Sequence, residues 1–379
     1  MARHAIAAFL FAITSLPAFS ETIRVATFNA SLNRQEAGLL VRDLLAGDDP
    51  QIAAVAEVIR TVRPDILLVN EIDFDAGGEA LGLFLGVLRQ VGTSTEGIDY
   101  PHHFLAPSNT GIASGVDLNG DGKTAGPADA YGFGYFTGQY GMALLSRFPI
   151  DANDSYTFQN MLWRDLPGAD LPVNPDGTLF PSDEAHTIVR LSSKSHWDIS
   201  VTTPNGPLRI FASHPTPPVF DGPEDANGRR NRDEVLFWTH YLDGAALPSD
   251  QGKRTYDGTP FVLLGDLNAD PHDGDGIHSG INTLLAHSAI SDPLPASAGA
   301  AAASAQQTGV NRSHIGDPSL DTADWADDGP GNLRVDYVLP SATLRHADAG
   351  VYWPKPDETT YDLLGASDHR LVWVDIILD

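Results

Sequence analysis

Short apolar runs recur along the chain, and most of them stop abruptly at a polar side chain. The first, "TIRVATF" at 22–28, is rich in β-branched residues and ends at Asn29, and "DILLVNE" ends at Glu71. Further strands are predicted at 141–146, 208–214, 261–266, 334–339 and 370–378. Helical spacing appears between them. Ile52, Val55, Val58, Ile59 and Val62 share one face, with Pro50 near the start and Pro64 beyond the end. "LGLFLGVLRQV" reads as another core helix, and "RRNRDEVLFWTHYLDG" as one that begins at about Arg232. Strands and helices interleave over 21–379 with no linker between separate cores, which predicts one α/β domain. Three stretches rich in Gly, Pro, Asp and Ser break the pattern, near 98–137, 152–187 and 272–332, the last containing "ASAGAAAASAQQ". Loops of this length are expected to surround a site.

Asn29, Glu71, His214, Asp266, Asn268 and Asp336 lie at or just past the ends of apolar runs, while Ser367, Asp368 and His369 precede the last run. An ionised carboxylate at the edge of a core is costly unless a cation or hydrogen bonds compensate it. Taken singly, each residue reads equally as turn chemistry or a helix cap. If mixed parallel and antiparallel pairing brings these ends to one rim, four carboxylates, two carboxamides and two histidines meet there. Such a set of hard oxygen donors suits Mg²⁺, Mn²⁺ or Ca²⁺ better than zinc.

Composition narrows the chemistry. The chain has no cysteine, so disulfides, thiolate metal sites and cysteine nucleophiles are excluded. Its formal charge of −27 repels polyanions and disfavours long nucleic acid as a partner. Residues 1–20, with Arg3 ahead of an apolar stretch and small residues at Ala18 and Ser20, read as a secretory signal. No other stretch approaches the ~20 apolar residues of a membrane span. These features predict an exported protein, periplasmic or extracellular, of unknown oligomeric state.

Two motifs mislead. Gly122, Lys123 and Thr124 imitate a nucleotide-binding loop, but its first glycine would fall on Asp117. "GIASG" lacks the spacing of a nucleophile elbow. "DLNGDG" does satisfy the front half of a calcium loop, with Asp117, Asn119 and Asp121 as alternating ligands and Ala128 followed by Asp129 at the far end. A structural Ca²⁺ there and a plain acidic turn are the two readings.

"RVATFNASLNR", "ILLVNEID", "GQYGMALLSRFPI", "ASHPTPP", "LLGDLNADP", "RVDYVLPS" and "ASDHRLVWVDI", in this order, resemble the endonuclease/exonuclease/phosphatase superfamily with its DNase I-like fold. The resemblance implies a four-layer α/β sandwich of two packed mixed β-sheets flanked by helices, with the site at the sheet edges. It implies that Glu71 is the principal metal ligand and Asp368 a second. Asp266 and Asn268 match the pair that aligns the attacking water, and Asn29 the first-strand asparagine. Asp336 resembles the aspartate that orients the last histidine, His369, and His214 resembles the other, phosphate-proximal histidine. Many members carry an acid where Ser31 stands here, which weakens the case for two tightly held metals. Gln139 and Tyr140 are candidates for a further phosphate-proximal position. Arg229, Arg230 and Arg232 read either as a substrate contact or as a solvated face, and Trp163 and Arg164 as pocket lining.

The expected activity is metal-dependent hydrolysis of phosphate esters, small substrates favoured. The alternatives are an extracellular nuclease and, from another class, a non-catalytic secreted binding protein of the same fold.

Overall fold

The computed structural model describes residues 21–378, and the segment 1–20 read above as a secretion signal lies outside them. Two mixed sheets form the centre. The first holds six strands, β1 (Glu21–Asn29), β2 (Ile66–Ile72), β3 (His102–Leu105), β4 (Gly141–Ser146), β14 (Arg345–Val351) and β15 (Val372–Leu378), in the order β14-β15-β1-β2-β4-β3. The second holds β5 (Ile150–Thr157), β6 (His196–Thr203), β7 (Gly206–Ser213), β10 (Phe261–Asp266) and β13 (Asp336–Pro340), in the order β13-β10-β7-β6-β5. Two small ribbons pair β8 (Leu247–Ser249) with β9 (Gly252–Arg254) and β11 (Ala323–Asp324) with β12 (Asn332–Leu333).

Alternation along the strands builds the layers, because successive side chains point to opposite faces. Ile23 and Val25 of β1, Leu68 of β2, Ile210 of β7 and Val262 and Leu264 of β10 meet in one apolar layer between the sheets. The opposite parity of the first sheet, including Phe28, Leu67 and Leu145, packs under α1 (Leu39–Ala46), α2 (Pro50–Val62) and α3 (Glu79–Arg89). Likewise Phe211, Phe261 and Leu263 of the second sheet pack against Trp238 and Tyr241 of α5 (Ala226–Leu242) and Leu284 of α6 (Ser279–Leu285). Helix, sheet, sheet and helix are thus the expected four layers.

Local signals set several boundaries. Asp49 caps α2, its Oδ1 accepting from the backbone N–H groups of Gln51 at 2.8 Å and Ile52 at 3.0 Å, with Pro50 at the first helical position. α5 begins at Ala226, six residues before Arg232, because its polar first turns are held by tertiary hydrogen bonds and carry no apolar period. The stretches expected as long loops also hold elements. Besides β3 and most of β5, they contain α4 (Asp183–Ile188), α6 and the β11–β12 ribbon. "ASAGAAAASAQQ" forms α7 (Ala298–Ser304), capped by Ser297 and carrying buried Ala300.

Candidate active site

Topology gathers the strand ends. β1 and β2 run parallel, so Asn29 and Glu71 finish at the same edge; β15 is antiparallel to β1, so the residues before it, Asp368 and His369, start there. β7 and β10 are parallel, which places His214 beside Asp266, and β13 enters antiparallel with Asp336 directly opposite Asp266. Parity finishes the arrangement: Asn29, His214, Asp266 and Asp336 continue the inter-sheet faces of their strands. Asn29 Nδ2 donates to Asp266 Oδ2 across the two sheets at 3.1 Å.

Two carboxylates facing each other across a ladder repel unless a cation lies between them. His369 supplies it. Its Nδ1 is 2.9 Å from Asp336 Oδ2 and its Nε2 is 3.7 Å from Asp266 Oδ2. Thr322 Oγ1 donates to the same Asp336 oxygen at 2.9 Å. Burial alone would lower the His369 pKa, but Asp336 and Asp266 more than offset it and raise it to about 10. Asp266 is raised to about 6, mainly by burial and further by Asp336, while His369, Asn29 and the Asn268 N–H hold it down. His214, with Nε2 3.3 Å from Asp266 Oδ2, goes the other way. Burial, then the charges of Lys194 and His369, push it well below the usual histidine range, so the ring is neutral.

Glu71 reaches this rim through a backbone irregularity. The β2–β4 register shifts between Asn70 and Ile72, and Glu71 adopts φ 60°, a left-handed conformation that costs energy for a non-glycine residue. Without that bulge the alternation would send Glu71 toward the helical layer. Its Oε2 accepts from Asn33 Nδ2 at 2.8 Å, and burial, the largest effect, raises its pKa. Asp368 accepts from Ser31 Oγ at 3.1 Å and from Trp325 Nε1 at 2.9 Å. Glu71, Asp266, Asn268, Asp368 and His369 all line one cavity of about 410 Å³. Its outer wall carries Pro217, Phe220 and the acids Asp270, Asp273 and Asp275.

Asn268 takes φ 50°, its N–H bonded to Asp266 Oδ1 at 2.9 Å and its Nδ2 to the Pro215 carbonyl at 3.1 Å. Gly265 is obligatory: it has φ 151°, and a Cβ there would lie 1.9 Å from the Ser213 carbonyl oxygen. Gly265→Ala must therefore separate β10 from β7 where His214 and Asp266 meet. We expect it to cost about 3 kcal/mol or more, read as a lowered urea midpoint at unchanged m-value.

Other expected residues lie elsewhere. Arg230, expected to contact substrate, donates instead to the carbonyls of Leu191, Tyr131 and Arg190 at 2.9, 2.6 and 2.9 Å, which fixes the chain around α5. Arg229 pairs with Asp170 and Arg232 with Asp233, so the arginine cluster is committed within the fold. Trp163 is a core residue whose Nε1 donates to Asp233, and Arg164 is exposed. Gln139 bridges the Arg34 carbonyl and the Tyr135 N–H, whereas Tyr140 is half-buried, its phenol pKa raised first by burial and then by Glu71. In the loop read for calcium, Asp117, Asn119 and Asp121 accept from backbone N–H groups of Gly120, Gly122, Asp121 and Lys123, as an acidic turn does.

Three buried residues escaped the sequence reading. Asn231 Nδ2 reaches the carbonyls of Thr216, Leu267 and Asn268 at 2.8, 2.9 and 3.2 Å, clamping the loops after β7 and β10 together. Glu234 accepts from the N–H groups of Ser193 and Thr216, both at 2.6 Å. Lys194 lies beside them, buried.

The donor set fits a hard divalent cation. Among the described residues Asp266, Asp336 and His369 are the one group of three whose ligand atoms lie within 4.8 Å of each other, but the histidine already bridges those carboxylates. Glu71 has no Lys, Arg or His nitrogen within 4.0 Å among the described residues and lines the cavity. Glu71 and Asp368 are carboxylates of the kind a hard cation takes, and both line the cavity.

A family profile described as "Endonuclease/Exonuclease/phosphatase family" matches residues 26–369. No curated protein matches the chain. Among solved structures, an endonuclease/exonuclease/phosphatase from Beutenbergia cavernae is 17% identical with TM-score 0.52, covering 94% of this chain and 72% of that one. A family protein from Leptotrichia buccalis is 16% identical with TM-score 0.49, covering 93% and 99%. Beta toxin from Staphylococcus aureus with bound magnesium ions is 11% identical with TM-score 0.48, covering 94% and 99%. The first of these shares the fold.

Proposed function

Because the chain belongs to the endonuclease/exonuclease/phosphatase family, we propose that it is a metal-dependent phosphoesterase that hydrolyses small phosphate esters. The observation that carries this reading is the contact of Asn29, Asp266, His369 and Asp336 across both sheets, on the wall of the cavity that Glu71 and Asp368 also line.

Glu71 and Asp368 would hold the cation, with Mg²⁺ the first choice and Mn²⁺ or Ca²⁺ the others. A bound divalent ion supplies charge stabilisation for the phosphoryl oxygens. Asp266 accepts a proton from the attacking water, and Asn268, its nitrogen held by Pro215, directs that water through its free carboxamide oxygen. The water oxygen bonds to phosphorus in line with the ester oxygen, which departs with the electrons of the broken P–O bond. His369, with Nδ1 fixed by Asp336, offers its Nε2 proton to a phosphoryl oxygen. Neutral His214 donates to Asp266 and keeps its carboxylate aimed.

Small substrates are favoured because the cavity is acidic on its outer wall and Arg229, Arg230 and Arg232 are bound internally. A polyanion would meet repulsion at this acidic wall. Among the described residues no helix is long and apolar enough to cross a membrane. Export, to the periplasm or beyond, rests on the signal read at 1–20.

Purified protein with p-nitrophenyl phosphate, bis-p-nitrophenyl phosphate and plasmid DNA, each with Mg²⁺ and with chelator, tests the proposal. We expect release of p-nitrophenol that a chelator reduces at least about 100-fold. Plasmid nicking without small-ester hydrolysis would favour the nuclease. Inactivity on every substrate would favour a binding protein of the same fold.

A further inference from the structure

Lys194 has no part in the chemistry described so far, yet it occupies a costly position. It sits on the loop entering β6 and is 6% exposed. Its Nζ has a single acceptor, the Pro215 carbonyl at 3.5 Å, and among the described residues no carboxylate pairs with it. An ammonium carries three donors, so most of its hydrogen-bonding capacity is unmet in a buried setting.

Neighbouring acids feel its charge without touching it. Glu234, Glu71 and Asp266 all favour the ammonium, while burial, the dominant effect, pushes its pKa below the usual lysine range. Glu234 gives both oxygens to the N–H groups of Ser193 and Thr216. Asp266 is taken by Asn29 and the Asn268 N–H, and Glu71 leans on Asn33. The Pro215 carbonyl that Lys194 approaches also receives Asn268 Nδ2, and Asn268 lines the cavity. Lys194 therefore stands one hydrogen-bonded link behind the cavity wall, on a flexible stem that can extend toward an arriving anion. His369 lines the cavity as one cation, and Lys194 adds a second behind the wall beside His214.

We propose that Lys194 is an anion-binding side chain of this site, contacting a non-bridging oxygen of the substrate phosphoryl group and of the inorganic phosphate released from a monoester. The assignment rests on the phosphoesterase reading above. It also gives the buried ammonium the partner that the protein alone does not provide.

The test compares the wild-type chain with Lys194→Met and Lys194→Arg, using calorimetric titration with inorganic phosphate in the presence of Mg²⁺, kinetics on the better p-nitrophenyl ester, and melting curves. Lys194→Met should bind phosphate at least about tenfold more weakly and lose about 100-fold in kcat/KM. Its Mg²⁺ half-activation and its Tm should not fall, because methionine fills the space without a buried charge. Lys194→Arg should recover a large part of the phosphate affinity. Equal phosphate affinity in wild type and Lys194→Met, or no measurable phosphate binding by the wild type, overturns the proposal. A wild type that binds phosphate through Lys194 but cleaves no ester would reject the phosphoesterase reading and keep the anion site. Should Lys194→Met fail to fold, Lys194→Gln takes its place under the same criteria.

Discussion

Glu71→Gln is expected to abolish nearly all turnover, by about 10³-fold or more, while the metal-free protein melts no lower than the wild type. The loss follows from removing one of the two carboxylates proposed to hold the cation, and with it the charge that opposes the reacting phosphate. The stability follows from the direction of the Glu71 shift. A carboxyl whose folded pKa is raised is favoured in its protonated form by the fold, so ionisation above that value costs stability. Glutamine is free of that cost and can still accept from Asn33. Mg²⁺ should reverse the ranking: it stabilises the wild type by mass action and leaves the variant nearly unchanged. Melting curves with and without Mg²⁺, beside steady-state rates, check both halves. A variant that kept wild-type turnover at saturating Mg²⁺ would remove Glu71 from the metal site.

Asp266→Asn should be as damaging, by about 10² to 10⁴ in kcat/KM, because the group that takes the water proton is lost and the single amide oxygen can keep only one of the two contacts that Asn29 Nδ2 and the Asn268 N–H make to the carboxylate. Its signature lies in the pH profile. Asp266, raised to about 6, is a base only above that value, so wild-type kcat/KM should fall as pH drops through it. Bound metal favours the ionised form and moves this acid limb to lower pH, so it should appear at or below pH 6. The variant's residual rate should lack the limb altogether. A limb of the same midpoint in both proteins would assign it to another group.

The sequence was most legible where strands are buried on both faces. β4 and β10 coincide with the predicted 141–146 and 261–266, since a continuous apolar run has few other fates. Edge strand β14, "RHADAGV", was invisible because four of its residues face solvent. Asp266, Asp336 and His369 could be read because they interrupt or flank apolar runs. Lys194, Asn231 and Glu234 could not, being single polar residues whose partners lie far along the chain or on loops without a pattern. The arginine cluster misled for the same reason: the acid that neutralises Arg229, Asp170, is 59 residues away. Nothing in "NEID" announces the bulge that turns Glu71 toward the cavity.

The Asn29 to Asp266 bond has a consequence for how this molecule ages under stress. One partner belongs to each half of the sandwich, so any sliding of the halves is registered at the reacting centre before either half loses its own ladder. Catalysis is thereby wired to the integrity of the greasy seam beneath it. Lesions that merely soften that seam should silence the enzyme while it still looks folded.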